Sequence, residues 1–235
     1  MQYLGGKAAL VKELGPLLTT LSAGASAFYD VFCGAANVVA AVQHPNRFAN
    51  DAHPELVALL QAVQRGWQPP HELSEDLYRV LKHTELDCPE WRALRGFAGF
   101  GCSFGGMWFS TYARSARGGG DRNYARAAAN SLARKAPSLA GVSISLGDYR
   151  GVHITQGSVV YCDPPYAGTT GYSVGSFDYA AFLAWANQTA KHSLVVISEY
   201  ARNVPDGARV IWSRSARRGL RGTSDTRTEE VLYVL

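Results

Sequence analysis

The chain has 235 residues, 47% of them apolar, and 23 Lys/Arg against 19 Asp/Glu give a formal net charge of +4. That length and composition fit one globular domain with a proper core, or one domain carrying an insertion, with no apolar run long enough to span a membrane. Cys33, Cys88, Cys102 and Cys162 are scattered without metal-ligand spacing, and Lys7, Lys12 and Glu13 interrupt any signal-like N-terminus, so zinc, structural disulfides and secretion are not expected and a reducing cytoplasm fits.

The charge is segregated. Residues 92–135 hold eight Lys/Arg and one acid, and residues 201–228 hold seven Arg and two acids, so these segments sum to +12 and the remainder to −8. Such a distribution fits a surface that faces a polyanion, although either segment alone reads equally well as a solvated arginine-rich face.

In chain order, Tyr3-Leu4-Gly5-Gly6-Lys7 opens the sequence ahead of a helical stripe of Leu10, Val11, Leu14, Leu17 and Leu18, weakened or kinked by Pro16. A Gly-Gly turn before a helix exposes N–H groups, and Lys7 adds a fixed cation; both suit a carboxylate. Ala27 to Phe32 reads as a strand, Cys33-Gly34-Ala35-Ala36-Asn37 as a turn and Val38 to Val42 as an apolar helix, the first half of a nucleotide-binding unit. Arg47 to Asp51 is a second strand. Asp51 either binds ribose hydroxyls or caps the helix that starts near His53-Pro54. Glu55 to Arg65 is an amphipathic helix.

Trp67-Gln68-Pro69-Pro70 marks the edge of an insertion. Residues 72–95 read as helical, and Gly96 to Phe109 interleaves glycine with aromatics as a loop. Arg114, Arg117 and Arg122 follow, Gly118-Gly119-Gly120 is a flexible loop, and Asn123 to Lys135 is a basic helix. Val142 to Leu146 returns to strand, and Gly147-Asp148-Tyr149 is a turn in which Asp148 either meets a ligand or closes an Asx turn.

Val159-Val160-Tyr161-Cys162 reads as a buried strand that must end at Pro164-Pro165, because proline cannot donate to a ladder. Asp163 and Tyr166 are thereby presented at a strand's C-terminal end, where open α/β sheets bind ligands. Asp163 and the Pro164 carbonyl are acceptors able to hold an exocyclic amino group, and Tyr166 offers a flat face for a base. An aromatic-tipped loop follows to Tyr172. A helix then runs from Asp178 with Phe182, Trp185 and Ala186 inward, Leu194 to Ile197 is a central strand, and Ala208 to Trp212 and Val231 to Leu235 are end strands joined by an arginine-rich loop, Arg214 to Arg227.

The Asp163-Pro164-Pro165-Tyr166 stretch resembles motif IV of the amino-methyltransferases of nucleic acid bases. With the Gly-Gly-Lys turn, the Gly34 turn and Asp51 in the same order, the chain is similar to the Dam-type, α-group DNA adenine-N6 methyltransferases along nearly its whole length. The resemblance implies a Rossmann-like α/β sheet of seven mainly parallel strands with flanking helices, a catalytic domain from residues 1–66 and 141–235, and a mostly helical recognition insertion at 67–140. It implies S-adenosylmethionine as cofactor, held by Tyr3, Gly5, Gly6, Lys7, Phe32, Gly34, Ala36, Asn37, Asp51, Asp148, Tyr149 and Asp163. Ala36 departs from the family's second glycine, which places the turn geometry in question.

Catalysis is expected at Asp163, Pro164, Pro165 and Tyr166, with no metal. Tyr166 and Tyr172 would stack on an adenine flipped from double-stranded DNA. Ser103, Trp108, Arg114, Arg117, Arg122, Arg214, Arg217, Arg218 and Arg221 are the expected DNA contacts, and no obligatory protein partner is evident, so a monomer is expected. Cytosine-N4 methylation and a DNA-binding protein that has lost catalysis are the alternatives. Asp163 favours adenine, because serine is commoner there in the cytosine group.

Overall fold

The structure, a computed structural model, describes residues 1–114, 123–166, 177–218 and 226–235. Its strands are β1 (Phe28–Asp30), β2 (Arg47–Asp51), β3 (Val142–Leu146), β4 (Val159–Cys162), β5 (Leu194–Tyr200), β6 (Arg209–Arg218) and β7 (Thr226–Val234). They form one sheet in the order β3-β2-β1-β4-β5-β7-β6. β1 to β5 pair in parallel, while β7 runs antiparallel to both β5 and β6.

The short apolar runs of β1, β4 and β5 are buried on both faces, as central parallel strands between helical layers must be. Period-two alternation then sends successive side chains to different cores. Phe28, Val159, Tyr161 and Val196 point to a core that includes Leu14 and Leu18 of α1 (Val11–Leu21), Val38 and Val39 of α2 (Asn37–Ala41), and Leu56 and Leu60 of α3 (Pro54–Gln64). Tyr29, Val160, Cys162, Val195 and Ile197 point the other way, against Phe182 and Ala186 of α7 (Tyr179–Ala190). Asp178 caps α7 by accepting from the Ala181 amide at 2.9 Å. No helix of the described residues is long and apolar enough to cross a membrane.

Between β2 and β3 the chain builds α4 (Glu75–His83), α5 (Pro89–Gly96) and α6 (Tyr124–Lys135). Their core of Leu81, Phe97, Ala98, Phe109, Ala128 and Leu132 also takes in Leu59 and Val63 of α3. The insertion is therefore fused to the sheet domain through a shared helix. Arg95 and Glu55 form a buried ion pair at 2.9 Å across that seam. Gly96 sits so close that a Cβ there would lie 2.2 Å from the Glu55 carbonyl oxygen.

The structure departs from the sequence expectations in three places. The helical stretch expected over 72–95 is interrupted, with Ser74 capping α4 and the chain extended at Thr84 before Pro89 starts α5. The glycine-aromatic stretch is largely core rather than loop: Phe97 and Ala98 are fully buried in a π-helical turn, Phe97–Gly101. The glycines there serve contact, since a Cβ on Gly99 would meet the Trp108 ring at 2.3 Å. Finally, β6 runs through Arg214, Arg217 and Arg218, so the arginine-rich segment is strand for much of its length.

Candidate active site

The strand order reverses at β1, whose neighbours β2 and β4 are reached by opposite turns of the chain. A crevice must open at such a point, above the carboxyl ends of the strands. A cavity of about 300 Å³ lies there, lined by the ends of β1 (Asp30), β2 (Asp51) and β4 (Asp163), by the Tyr3–Lys7 turn and by Cys33–Ala35. Motifs far apart in sequence thus share one wall. Gly34 needs its left-handed φ of 50°, and a Cβ there would lie 2.8 Å from the Tyr3 ring. Ala36 also adopts the left-handed region, at φ 54°. The left-handed turn is therefore held by a residue with a Cβ at a cost of ~1–2 kcal/mol.

Asp163 does not stand alone. Lys7 Nζ donates to its Oδ1 at 2.7 Å and to the Tyr166 hydroxyl at 2.8 Å, and it lies 3.0 Å from Glu230 Oε1. The Tyr166 hydroxyl in turn donates to Glu230 Oε1 at 2.7 Å and lies 2.7 Å from Ser198 Oγ. Burial opposes the Lys7 charge, but Asp163 and Glu230 more than offset it and hold the ammonium's pKa above its ordinary value. Asp30 is fully buried, and burial, with the Asp163 charge second, pushes its carboxyl up to about 8. Its Oδ2 accepts from the Val39 amide at 3.2 Å, whereas Oδ1 is buried and unpaired. An orphaned acceptor in a ligand cavity is a place for an incoming donor.

The expected cofactor residues gather here. Tyr3, Gly5, Gly6, Lys7, Phe32, Gly34, Asn37, Asp51, Asp148, Tyr149 and Asp163 all line the cavity. In place of Ala36 its neighbour Ala35 lines the wall. Asp51 accepts from the Gly34 amide and from the His53 amide, each at 2.9 Å, so it also ties the first turn to the second strand. The cap of α3 is His53. Asp148 closes an Asx turn onto the Arg150 amide at 2.8 Å and pairs with the Arg150 side chain.

The other expected site residues are held in several different ways. Ser103 is fully buried, with its hydroxyl 2.6 Å from that of Tyr78, so it presents nothing to a duplex. Trp108 is half-buried among His53, Phe100 and Phe109. Tyr166 is buried, with Lys7 Nζ 4.8 Å from its ring centre and Tyr200 edge-on at 4.7 Å, so it shows no open stacking face. Pro165 lines the cavity, whereas Pro164 does not. Arg114 pairs with Glu75 and Arg214 with Glu13 at the surface. Tyr172, Arg117, Arg122 and Arg221, with the side chains of Arg217 and Arg218, lie outside the described residues.

Sequence reading missed Asp30, Glu230, Ser198 and Phe177. Asp30 carried a signal, being an acid in a strand two residues before the aromatic of the first turn. Glu230 and Ser198 carried none, because only the antiparallel pairing of β7 with β5 brings them to Asp163.

Residues 3–90 match the model of the D12 class N6 adenine-specific DNA methyltransferase family. Among solved structures, the chain is similar to SMU.472, a candidate methyltransferase complexed with SAH, at 13% identity and a TM-score of 0.29. That match covers 84% of this chain, which spans about half (51%) of the other chain's length. No curated protein matches the chain. The fold is read from the sheet order itself, and over residues 3–90, which carry the Gly-Gly-Lys turn, the Gly34 turn and Asp51, the chain resembles the Dam-type adenine-N6 DNA methyltransferases.

Proposed function

We propose that the protein transfers a methyl group from S-adenosylmethionine to the N6 amino group of an adenine in double-stranded DNA. The observation that carries this reading is the convergence of Asp163, at the end of β4, with the Gly34 turn, Asp51 and the Gly5-Gly6-Lys7 turn on one cavity. S-adenosylmethionine supplies an activated methyl on a sulfonium, and the cavity suits it. Asp51 is an acceptor for its hydroxyl groups, the unpaired Oδ1 of the Asp30 carboxyl is a place for a further polar group, and Phe32 and Tyr149 form an aromatic wall, their rings 5.1 Å apart.

Adenine's amino nitrogen is a poor nucleophile because its lone pair conjugates with the ring. Asp163 is the acceptor that favours a tetrahedral nitrogen and steadies the positive charge developing there. Burial pushes the Asp163 carboxyl above its ordinary range, and Lys7, donating to it at 2.7 Å, opposes that shift and aims the side chain. Glu230, 3.0 Å from Lys7 Nζ, helps hold that ammonium charged, while its own charge adds to the upward push on Asp163. The amino group is out of reach inside a duplex, so the base must leave the stack. Stacking on Tyr166 requires Lys7 to withdraw from its ring. In this reading Arg114 and Arg214 meet phosphates by exchanging their present carboxylate partners.

The test is to express the chain in a methylation-free host and sequence its DNA with a readout that separates N6-methyladenine from N4-methylcytosine. N6-methyladenine at a defined site is expected. Asp163→Ala should lose roughly 100- to 1000-fold in rate while still binding the cofactor. Modified cytosine, or near-normal turnover by Asp163→Ala, would overturn the assignment.

A further inference from the structure

Lys135 is the last residue of α6, on the insertion, yet its ammonium reaches the first cofactor turn. It donates to the Ala35 carbonyl and, at 2.7 Å, to Asn37 Oδ1. Between these two acceptors sits Ala36, in the left-handed region at φ 54°, ψ 38°. Ala35 and Asn37 both line the cavity, and Asn37 Nδ2 is 3.5 Å from where a Cβ on Gly6 would stand. A lysine in a helix's last turn ordinarily serves that helix's own carbonyls from the water side. This one crosses to another element instead.

Its environment makes the crossing expensive. Burial pushes the Lys135 pKa down to about 8, and the titratable group that favours its charge is the Cys33 thiol, itself held well above its ordinary value by burial. The Met1 amine and Arg134 beside it are cationic or neutral, never anionic. Among the described residues no carboxylate pairs with it. A partly buried ammonium without a carboxylate partner gains the fold little, which points to a task at the turn that it reaches.

Resting on the reading of the cavity as the S-adenosylmethionine site, we propose that Lys135 is a positioning residue for that cofactor, one that braces the left-handed Ala36 turn and fixes the Asn37 amide. With Oδ1 committed to Lys135, the amide must turn its Nδ2 donor to the Gly5-Gly6 wall. A donor so placed fits an acceptor group of the cofactor, such as its carboxylate or a ribose oxygen. Glycine at position 36 holds the same backbone without strain, so the brace matters because alanine stands there.

The experiment is a four-protein cycle: wild type, Lys135→Met, Ala36→Gly and the double variant. Each is titrated calorimetrically with S-adenosylhomocysteine and melted without ligand. Lys135→Met should bind roughly tenfold more weakly, the scale of one hydrogen bond from a charged donor. Its melting temperature should be unchanged or higher, because a half-buried charge without a counter-charge is gone. In the Ala36→Gly background the same substitution should cost only about threefold, since the turn no longer needs bracing. Unchanged affinity in Lys135→Met, an equal loss in both backgrounds, or a large fall in melting temperature up to failure to fold would each overturn the proposal. A wild-type chain that does not bind the ligand would overturn the cofactor reading itself. Wild-type binding with no effect of Lys135→Met overturns the Lys135 role alone.

Discussion

Two side chains carry chemistry that can be tested singly. Asp30 is held near pKa 8 by burial and by the Asp163 charge, against an ordinary value of 3.8. The folded chain thus keeps a proton that the unfolded chain gives up, and this contribution to stability is full below about pH 4 and lost as pH rises towards 8. Asparagine mimics the protonated acid and cannot lose the proton. Asp30→Asn is therefore expected to match wild type near pH 4 and to exceed it by several kcal/mol at pH 8, at ~1.4 kcal/mol per pKa unit. Urea unfolding at both pH values checks this, and equal stability at pH 8 would refute it. Tyr166 separates stacking from hydrogen bonding. Its hydroxyl meets Lys7, Ser198 and Glu230, so Tyr166→Phe keeps the ring and strips the network. A loss of roughly 10- to 100-fold in kcat/KM is expected for bonds to charged groups, and a variant within twofold of wild type would leave stacking as the sole role.

At the scale of elements, the seam between α3 and α5 makes a sharp prediction. Gly96→Ala would drive a Cβ to 2.2 Å from the Glu55 carbonyl oxygen, a backbone atom that cannot rotate away. The helices must part, at a cost on the order of 1–3 kcal/mol, and a melting curve no lower than wild type would contradict the packing. This seam also shows what the sequence could and could not tell. β3, β4 and α3 were legible because periodicity and proline punctuation are local, and the turns that line the cavity were legible as a set because they carry residue types with a chemical meaning. The Gly96–Phe109 stretch was misread because glycine there does not mark a loop. It lets a helix approach α3 and lets aromatic rings lie against backbone, which shows only when the partners are in place. Glu230 was invisible for a like reason, as its importance comes from strand pairing and not from its neighbours in sequence.

For the molecule as a whole, charge segregation becomes a statement about salt. Arg214 lies on β6 and is presently paired with Glu13 at the surface, 2.7 Å away. If it exchanges that partner for a phosphate, Arg214→Ala should weaken binding to cognate and scrambled duplexes alike and lower the log–log salt slope by about 1. A change in sequence preference, with the slope intact, would instead make it a base reader. The shared core bears on the molecule's history as well as its energetics. Because α3 serves the sheet and the insertion at once, and Arg95, Gly96 and Lys135 all reach across, the insertion is not a cassette that could be exchanged at its ends. Tolerated change is expected on its outer surface, around Phe104 and Met107, both exposed, while the inner face stays fixed. A chimera cut at residues 67 and 140 should therefore be insoluble unless its α3 comes from the same donor as the insertion.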